Sequence, residues 1–119
     1  MMDAAYNAPV VEKVAQAMTE MSSVPPTHAR ALILAAVTFL GENSPTIEAT
    51  PAELAERAHL TESEGEEAIE ALEFIHALVD FGGREGYPAG LTLHPDLGWR
   101  GDPAERSRAS DLYPSLMLL

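Results

Sequence analysis

The sequence contains no cysteine, and only 7 of its 119 residues are lysine or arginine, against 19 aspartates and glutamates. The absence of cysteine excludes disulfide bonds, thiolate metal sites and cysteine nucleophiles. The net charge of −12 makes the average surface repel phosphate backbones and anionic membranes. Any contact with nucleic acid must therefore come from a local positive patch.

Long apolar runs are also missing. The longest charge-free apolar stretch, residues 31–41, is about half as long as a segment that spans a bilayer. The start of the chain, MMDAAYNAPVVEK, lacks a basic region followed by an apolar run, so we expect no signal peptide. These features predict a cytoplasmic protein that does not contact a membrane. The length allows one sizeable core, which predicts a single domain over residues 1–119.

Two helices are predicted in the first third of the chain. The first covers residues 9–21, because Pro9 suits the first helical turn and the apolar residues that follow form one stripe. The second runs from about residue 26 to Leu40 and is apolar on nearly every face. A helix without a polar face is expected to lie centrally, covered either by this chain's first and last helices or by a second subunit.

Two capping boxes mark the next pair of helices. Thr50 is followed three residues later by Glu53, and Thr61 by Glu64, and each pair matches the pattern that closes a helix N-terminus. A short extended piece at 47–49 should precede the first of these helices. At 3.6 residues per turn, the second helix should bury one stripe and expose the opposite one. The expected core stripe is Ala68, Leu72, Ile75 and Val79, and the expected exposed acidic face is Glu62, Glu66, Glu70 and Glu73.

The last part of the chain predicts a small β-hairpin and a short helix. The runs LVDFGG and GLTLHP flank a glycine-rich loop, which is typical of a hairpin. A helix is expected over about 103–111, followed by an apolar tail that should pack on the first two helices. The predicted fold class is therefore mainly α with a small β-hairpin.

The stretch ATPAELAERAHLTESEGEEAIEALEFIHALVDFGG resembles the winged helix-turn-helix. The resemblance implies a winged-helix core at 27–95, with the helix at 9–21 and a C-terminal extension at 96–119 added to it. The segment LTLHPDLGWRGDPAERSRA is similar to one found in RepL-like plasmid replication initiators and related MarR-like proteins, except for His94, where that pattern usually has asparagine. The matching positions are Leu93, Pro95, Trp99, Arg100, Gly101 and Arg106.

The resemblance implies a homodimer that binds duplex DNA in transcription regulation or in plasmid or phage replication. The helix from Glu62 would lie in the major groove, and the hairpin loop would contact the backbone. Four exposed glutamates depart from that pattern, because they would face a dense row of phosphates. We therefore expect the wing and the arginines to carry the affinity. The candidate DNA contacts are Thr61, Ser63, Arg84, Arg100, Arg106 and Arg108.

Three alternatives stay open for these charged residues. The arginines could pair with nearby acids and dock the C-terminal segment. The acidic face could be a solvated face that the helix dipole favours. It could also dock a basic protein partner or mimic the phosphate row of DNA, which describes an interaction module that does not bind DNA. The predicted dimer interface consists of Val10, Val14, Met18, Leu116 and Leu118.

Catalytic and cofactor motifs are not found in the sequence. The four histidines, His28, His59, His76 and His94, lack a metal-ligand spacing, and His76 is expected near the core side of its helix. Phosphate-binding loops, calcium loops and nucleophile elbows are likewise missing. We predict a protein that is not an enzyme and holds neither a metal nor a cofactor.

Overall fold

The computed structural model describes residues 4–117, which form five helices and two small antiparallel sheets. In chain order the helices are α1 (Ala8–Met21), α2 (Pro26–Thr38), α3 (Pro51–Arg57), α4 (Glu62–Phe74) and α5 (Pro103–Ser110). Strand β1 (Ala4–Tyr6) pairs with β4 (Gly98–Arg100), and β2 (Leu78–Asp80) pairs with β3 (Leu91–Leu93). The mainly helical class with a small hairpin is confirmed. Within this part of the chain, none of the helices has the length and apolar character that crossing a bilayer requires.

Helix α2 lies at the centre of the core, as its apolar sequence predicts. Leu32, Ile33 and Ala36 are fully buried, and α1, α3, α4 and three of the strands all contact this helix. Its cover therefore comes from within the chain. The helix ends at Thr38 rather than Leu40, because Leu40 is already extended and forms a β-bridge with Ile47.

Both predicted capping boxes are present. The N–H of Glu53 donates to Thr50 Oγ1 at 3.1 Å, while the N–H of Thr50 donates to the Glu53 carboxylate at 3.0 Å. Thr61 and Glu64 make the same reciprocal pair at 3.1 and 2.9 Å. Each pair satisfies donors that a helix N-terminus would otherwise leave free, which explains why α3 and α4 begin where they do.

Helices α3 and α4 pack closely because α4 carries a glycine at their contact. A Cβ atom built on Gly65 would lie 2.6 Å from the Ala55 Cβ, well inside van der Waals contact. Leu54, Ala55 and Ala58 are buried on the α3 side, as predicted. The two helices and their tight connection therefore form one packed unit.

The prediction that the core stripe of α4 extends to Val79 is wrong. The helix ends at Phe74, and His76 adopts a left-handed conformation with a φ of 66°. The N–H of Ala77 then donates to the Leu72 carbonyl at 2.9 Å, which closes the helix end. Val79 lies in β2 and is half-buried. The buried residues of α4 are Gly65, Ala68, Ile69 and Leu72, and Ile75 is buried at the cap.

The hairpin is joined to the segment between α2 and α3. Its strands β2 and β3 flank a loop at 81–90, as the glycine pattern predicts. Two isolated bridges at Thr46 and Ile47 replace the extended piece expected at 47–49. The Ile47 N–H donates to the Leu91 carbonyl at 3.0 Å. The segment at 46–47 therefore acts as a minimal third strand beside β3.

The described part of the C-terminal tail does not pack on α1 and α2 as expected. The Met117 N–H donates to the Ile75 carbonyl at 3.1 Å, and His76 Nδ1 lies 3.3 Å from the Ser115 carbonyl. The Tyr113 hydroxyl donates to Thr92 Oγ1 at 2.6 Å. These contacts place the tail over the end of α4 and beside β3. Helix α5 matches its predicted range to within one residue at its end.

Strand β1 was not predicted at all. Its residue Ala5 pairs with Trp99 in β4, and the Asn7 N–H donates to the Leu97 carbonyl at 2.9 Å. Residues 4–7 are thereby hydrogen-bonded to the C-terminal extension.

Candidate functional site

The outward face of α4 is acidic and exposed, as the sequence predicts. Its four predicted members, which we call the acidic face, are all solvent-exposed: Glu62, Glu66, Glu70 and Glu73. Glu67, which was not predicted, is exposed as well, and α4 contains no lysine or arginine. The helix therefore presents five carboxylates to solvent and no compensating cation of its own.

Glu64 is the one glutamate of α4 with a structural role. Its carboxylate accepts the backbone N–H of Thr61, and this hydrogen bond lowers the pKa of Glu64. His28 Nε2 lies 3.8 Å from the other carboxylate oxygen. The Thr61 hydroxyl, a candidate DNA contact, accepts the Glu64 N–H, while Ser63 is exposed in the first turn.

Repulsion between like charges is strongest at the C-terminal end of the acidic face. Partial burial raises the pKa of Glu73, and the charges of Asp80 and Glu70 raise it further. A carboxylate in such surroundings is stabilised by any cation that approaches it. This end of the face therefore favours a positively charged ligand.

The candidate arginines lie on three different elements, and two of them are engaged within the chain. Arg100 in β4 donates from Nε to the Leu40 carbonyl at 2.9 Å and from a terminal nitrogen to the Thr38 carbonyl at 3.4 Å. It thus satisfies carbonyls at and just beyond the end of α2. In α5, Arg108 pairs with Glu105 at 2.9 Å, a surface pair within one helix.

The two remaining candidate arginines are Arg84 and Arg106. Arg84 is exposed in the hairpin loop, with its guanidinium 5.4 Å from the centre of the Tyr87 ring. Arg106 is half-buried in α5 beside a shallow cleft that Asn7 and Trp99 also line. Arg108 thus pairs with a nearby acid within its own helix, Arg100 docks the C-terminal segment on the end of α2 without an acid, and Arg84 is exposed in the hairpin loop.

A groove runs between the C-terminal end of α1 and the outer flank of α4. Its volume is about 690 Å³. Phe74 on its rim is 64% exposed, an unusual state for a large aromatic side chain. Phe74 and Glu67 were not predicted from the sequence. They lie two helical turns apart and outside the core stripe, so both fall on the same side of α4. The lining residues include Met18, Met21, Val24, Glu67, Glu70, Ala71, Glu73, Phe74 and Ile75.

The predicted dimer interface needs correction. Val14 and Met18 have no exposed surface, because α1 packs these side chains into the chain's own core against α2. They are therefore not available to a second subunit. Val10 and Leu116 are half-buried and keep some exposed surface, and Leu118 lies outside the described residues.

His94 has a structural environment rather than a catalytic one. Its ring is buried, with Nε2 3.0 Å from the Pro114 carbonyl and Nδ1 accepting the Asp96 N–H at 3.1 Å. Burial lowers its pKa, so the neutral ring is favoured. His76 lies beyond the end of α4 rather than on its core side. In the part of the chain that the structure describes, no three histidine, aspartate or glutamate side chains cluster as metal ligands would.

Comparison of the chain with protein-family models, with curated proteins and with solved structures finds no match. The functional interpretation therefore depends on the geometry of the acidic face, the groove and the arginines. Of these, the acidic face and the groove adjoin each other on α4, and they share Glu70 and Glu73.

Proposed function

We propose that the protein is an interaction module on a winged-helix scaffold, which docks a basic protein partner through the acidic face of α4. By its resemblance to MarR-like and RepL-like proteins, we place this role in transcription regulation or in plasmid or phage replication. One observation carries the proposal: α4 exposes five carboxylates, and no basic residue lies on the same helix.

The order and pairing of the elements support the winged-helix part of the proposal. Helix α2 is followed by the bridge segment at 46–47, by the packed pair α3 and α4, and by the hairpin. The bridge segment pairs with β3, which pairs with β2. This is the arrangement in which a second helix is presented outward beside a wing.

Electrostatics favour a basic protein over DNA on this face. A DNA groove would bring phosphates beside Glu62, Glu66 and Glu70, and each uncompensated close pair of like charges opposes binding by on the order of 1 kcal/mol. Arg100 does not offset this repulsion, because its guanidinium is engaged by the carbonyls near the end of α2. Lysines and arginines of a protein partner would reverse the sign of every one of these interactions.

Titration of the full chain into fluorescent duplex DNA tests this proposal. We expect no saturable binding at tens of micromolar protein, even at low salt, because phosphate contacts dominate DNA affinity and this face repels them. Saturable binding with a steep salt dependence would contradict the proposal and support the second candidate below.

The second candidate is direct DNA binding through the hairpin loop. It is favoured by Arg84, an exposed guanidinium on a loop that carries Gly82 and Gly83 in left-handed conformations. If this candidate holds, Arg84→Ala weakens binding similarly for all DNA sequences. It also reduces the slope of the logarithm of the binding constant against the logarithm of the salt concentration by about one. A Lys13→Ala variant is the matched control, because it removes an exposed positive charge from α1, outside the hairpin.

We also propose that the protein forms a homodimer through surfaces at its two ends. With Val14 and Met18 buried, the surfaces that remain are the half-buried Val10 and Leu116 and the exposed Met117. Light scattering should give twice the chain mass for the full chain and a lower mass for a chain ending at Asp111. A dimer that survives this truncation would remove the tail from the interface.

A further inference from the structure

The groove between α1 and α4 combines an apolar floor with an acidic rim. Met21 and Ala71, each partly buried, pack against the core beside it. Glu67, Glu70 and Glu73 line it from the α4 side. Its volume of about 690 Å³ is within the range of sites that hold a ligand or several inserted side chains.

Two helix C-termini meet at this groove. Helix α1 ends at Met21 and α4 at Phe74, and both ends contribute to the lining. Neither helix has a basic residue in its last turn. The C-terminal end of a helix carries a partial negative charge, equivalent to roughly half an elementary charge. The groove is therefore more strongly negative than its three carboxylates alone would make it.

Phe74 marks where an apolar ligand would bind. With 64% exposure, it is the most exposed of the large hydrophobic side chains in the described part of the chain. Removing such a side chain from water favours binding, because apolar surface is transferred out of water. An apolar side chain inserted against Phe74 and Met21 would cover surface that the chain itself leaves in water.

We propose that this groove binds an amphipathic helical segment of a partner protein, which inserts a large apolar side chain against Phe74 and Met21 and directs lysines or arginines to Glu67, Glu70 and Glu73. The inference rests on the proposed function and deepens it, because it names the site and the chemistry of the partner. Insertion of apolar anchors from a helix into a groove is a common mode of peptide recognition.

Charge complementarity selects this occupant over others. Nucleic acids and anionic membranes would be repelled by the rim and by both helix ends. A second copy of the chain also carries a net charge of −12, so its approach to an acidic groove is opposed. A segment of a basic protein satisfies both the apolar floor and the negative rim.

A synthetic helical peptide provides the probe. It carries leucines spaced three and four residues apart on one face and lysines on the flanks, and its binding to the full chain is measured by fluorescence anisotropy. Phe74→Ala should weaken binding about tenfold, since loss of a central apolar anchor removes on the order of 1.4 kcal/mol. Leu112→Ala, a change at another exposed apolar residue, should leave binding unchanged. An unchanged affinity in the Phe74→Ala variant would overturn the proposal.

A second pair of variants tests whether binding depends on the carboxylates of the groove or only on the overall negative charge. Glu67→Gln with Glu70→Gln removes two charges from the groove, while Glu42→Gln with Glu85→Gln removes two exposed charges that lie outside both α4 and the groove lining. We expect only the first pair to weaken binding, by about fivefold or more. Equal losses in the two pairs would overturn the groove assignment, because binding would then depend on the net charge of the chain alone. Failure of the native chain to bind the peptide at all would overturn the groove assignment outright, while the DNA titration tests the proposed function separately.

Discussion

The outward face of α4 and the C-terminal segment from β3 onward use their polar side chains in opposite ways. On α4, five exposed glutamates face solvent, and only Glu64 is tied into the fold. In the C-terminal segment, His94, Arg100 and Tyr113 each hydrogen-bond to other parts of the chain. Helix α4 thus presents its acidic side chains to solvent, whereas the C-terminal segment uses these three polar side chains within the fold.

The segment from Trp99 to Asp102 likewise uses its polar groups within the fold. Trp99 is buried, and Arg100 satisfies carbonyls near the end of α2. Gly101 has a φ of 121°, which favours glycine, and the next N–H, of Asp102, donates to the Asn43 side chain at 2.8 Å. These residues dock the extension onto the core. We therefore interpret Trp99, Arg100 and Gly101 as residues with structural roles.

The largest effect is expected at Arg100. Arg100→Ala leaves the Leu40 and Thr38 carbonyls without their guanidinium donor, so the free energy of unfolding should fall by about 1–3 kcal/mol. Urea denaturation of the two chains measures this change. Arg108→Ala is the control, and its exposed helical pair should contribute less than about 0.5 kcal/mol. Equal losses in both variants would show that Arg100 has no special structural role.

A smaller loss is expected at Tyr113. Tyr113→Phe removes the hydrogen bond to Thr92 Oγ1, which should lower the free energy of unfolding by about 0.5–1.5 kcal/mol. Burial raises the pKa of Tyr113 to about 12. The neutral hydroxyl therefore stabilises the fold fully below pH 10, and this contribution is lost as the pH rises from 10 toward 12. The difference between the spectrophotometric titrations of the native chain and of Tyr113→Phe isolates this phenol; an ionisation of Tyr113 near pH 10 would contradict the prediction.

His94 should make the fold sensitive to acid. Burial lowers its pKa below 6.5 in the folded chain, while the unfolded chain titrates near 6.5. The unfolded state therefore gains protons first, and the stabilisation present above pH 6.5 is lost as the pH falls toward the folded pKa. His94→Asn should remove this part of the pH dependence. Thermal unfolding of both chains between neutral and mildly acidic pH measures it, and parallel curves would exclude a role for His94.

The smallest effect is expected on the acidic face. Partial burial, and after it repulsion by Asp80 and Glu70, raise the pKa of Glu73, so its carboxylate destabilises the fold above the folded pKa and has no effect below the unfolded pKa. Glu73→Gln should raise the free energy of unfolding at neutral pH by no more than about 0.5 kcal/mol. Glu66→Gln serves as the control and should leave stability unchanged. A clear loss of stability in either variant would mean that the acidic face has a structural role.

Features set by neighbouring residues could be predicted from the sequence. The capping boxes at Thr50 and Thr61 and the exposure of Glu62 depend on spacing within one or two helical turns. The end of α4 was not predicted, because a left-handed turn at a helix end is usually marked by glycine, and here His76 adopts it. Strand β1 was missed because Ala5 pairs with Trp99, far away in the chain.

The groove and the dimer interface also could not be predicted correctly from the sequence. Met21 and Phe74 line the same groove only because α1 and α4 both pack on α2, so neither segment alone indicates a groove. The apolar stripe of α1 correctly predicted that Val14 and Met18 are buried. It does not indicate whether the chain's own core or a second subunit covers them. Here the cover is the chain's own core, with α2 as the main neighbour of α1.

The central claim is that α4 is a protein-docking surface and not a DNA-reading helix. Titration of the isotope-labelled full chain with a short duplex at low salt, followed by amide chemical shifts, tests it most directly, because even nonspecific affinities of about 10⁻⁴ M are visible. We predict no shifts along Glu62–Phe74. Shifts confined to the loop at 81–90 would support the second candidate. Saturable shifts along α4 itself would contradict the claim.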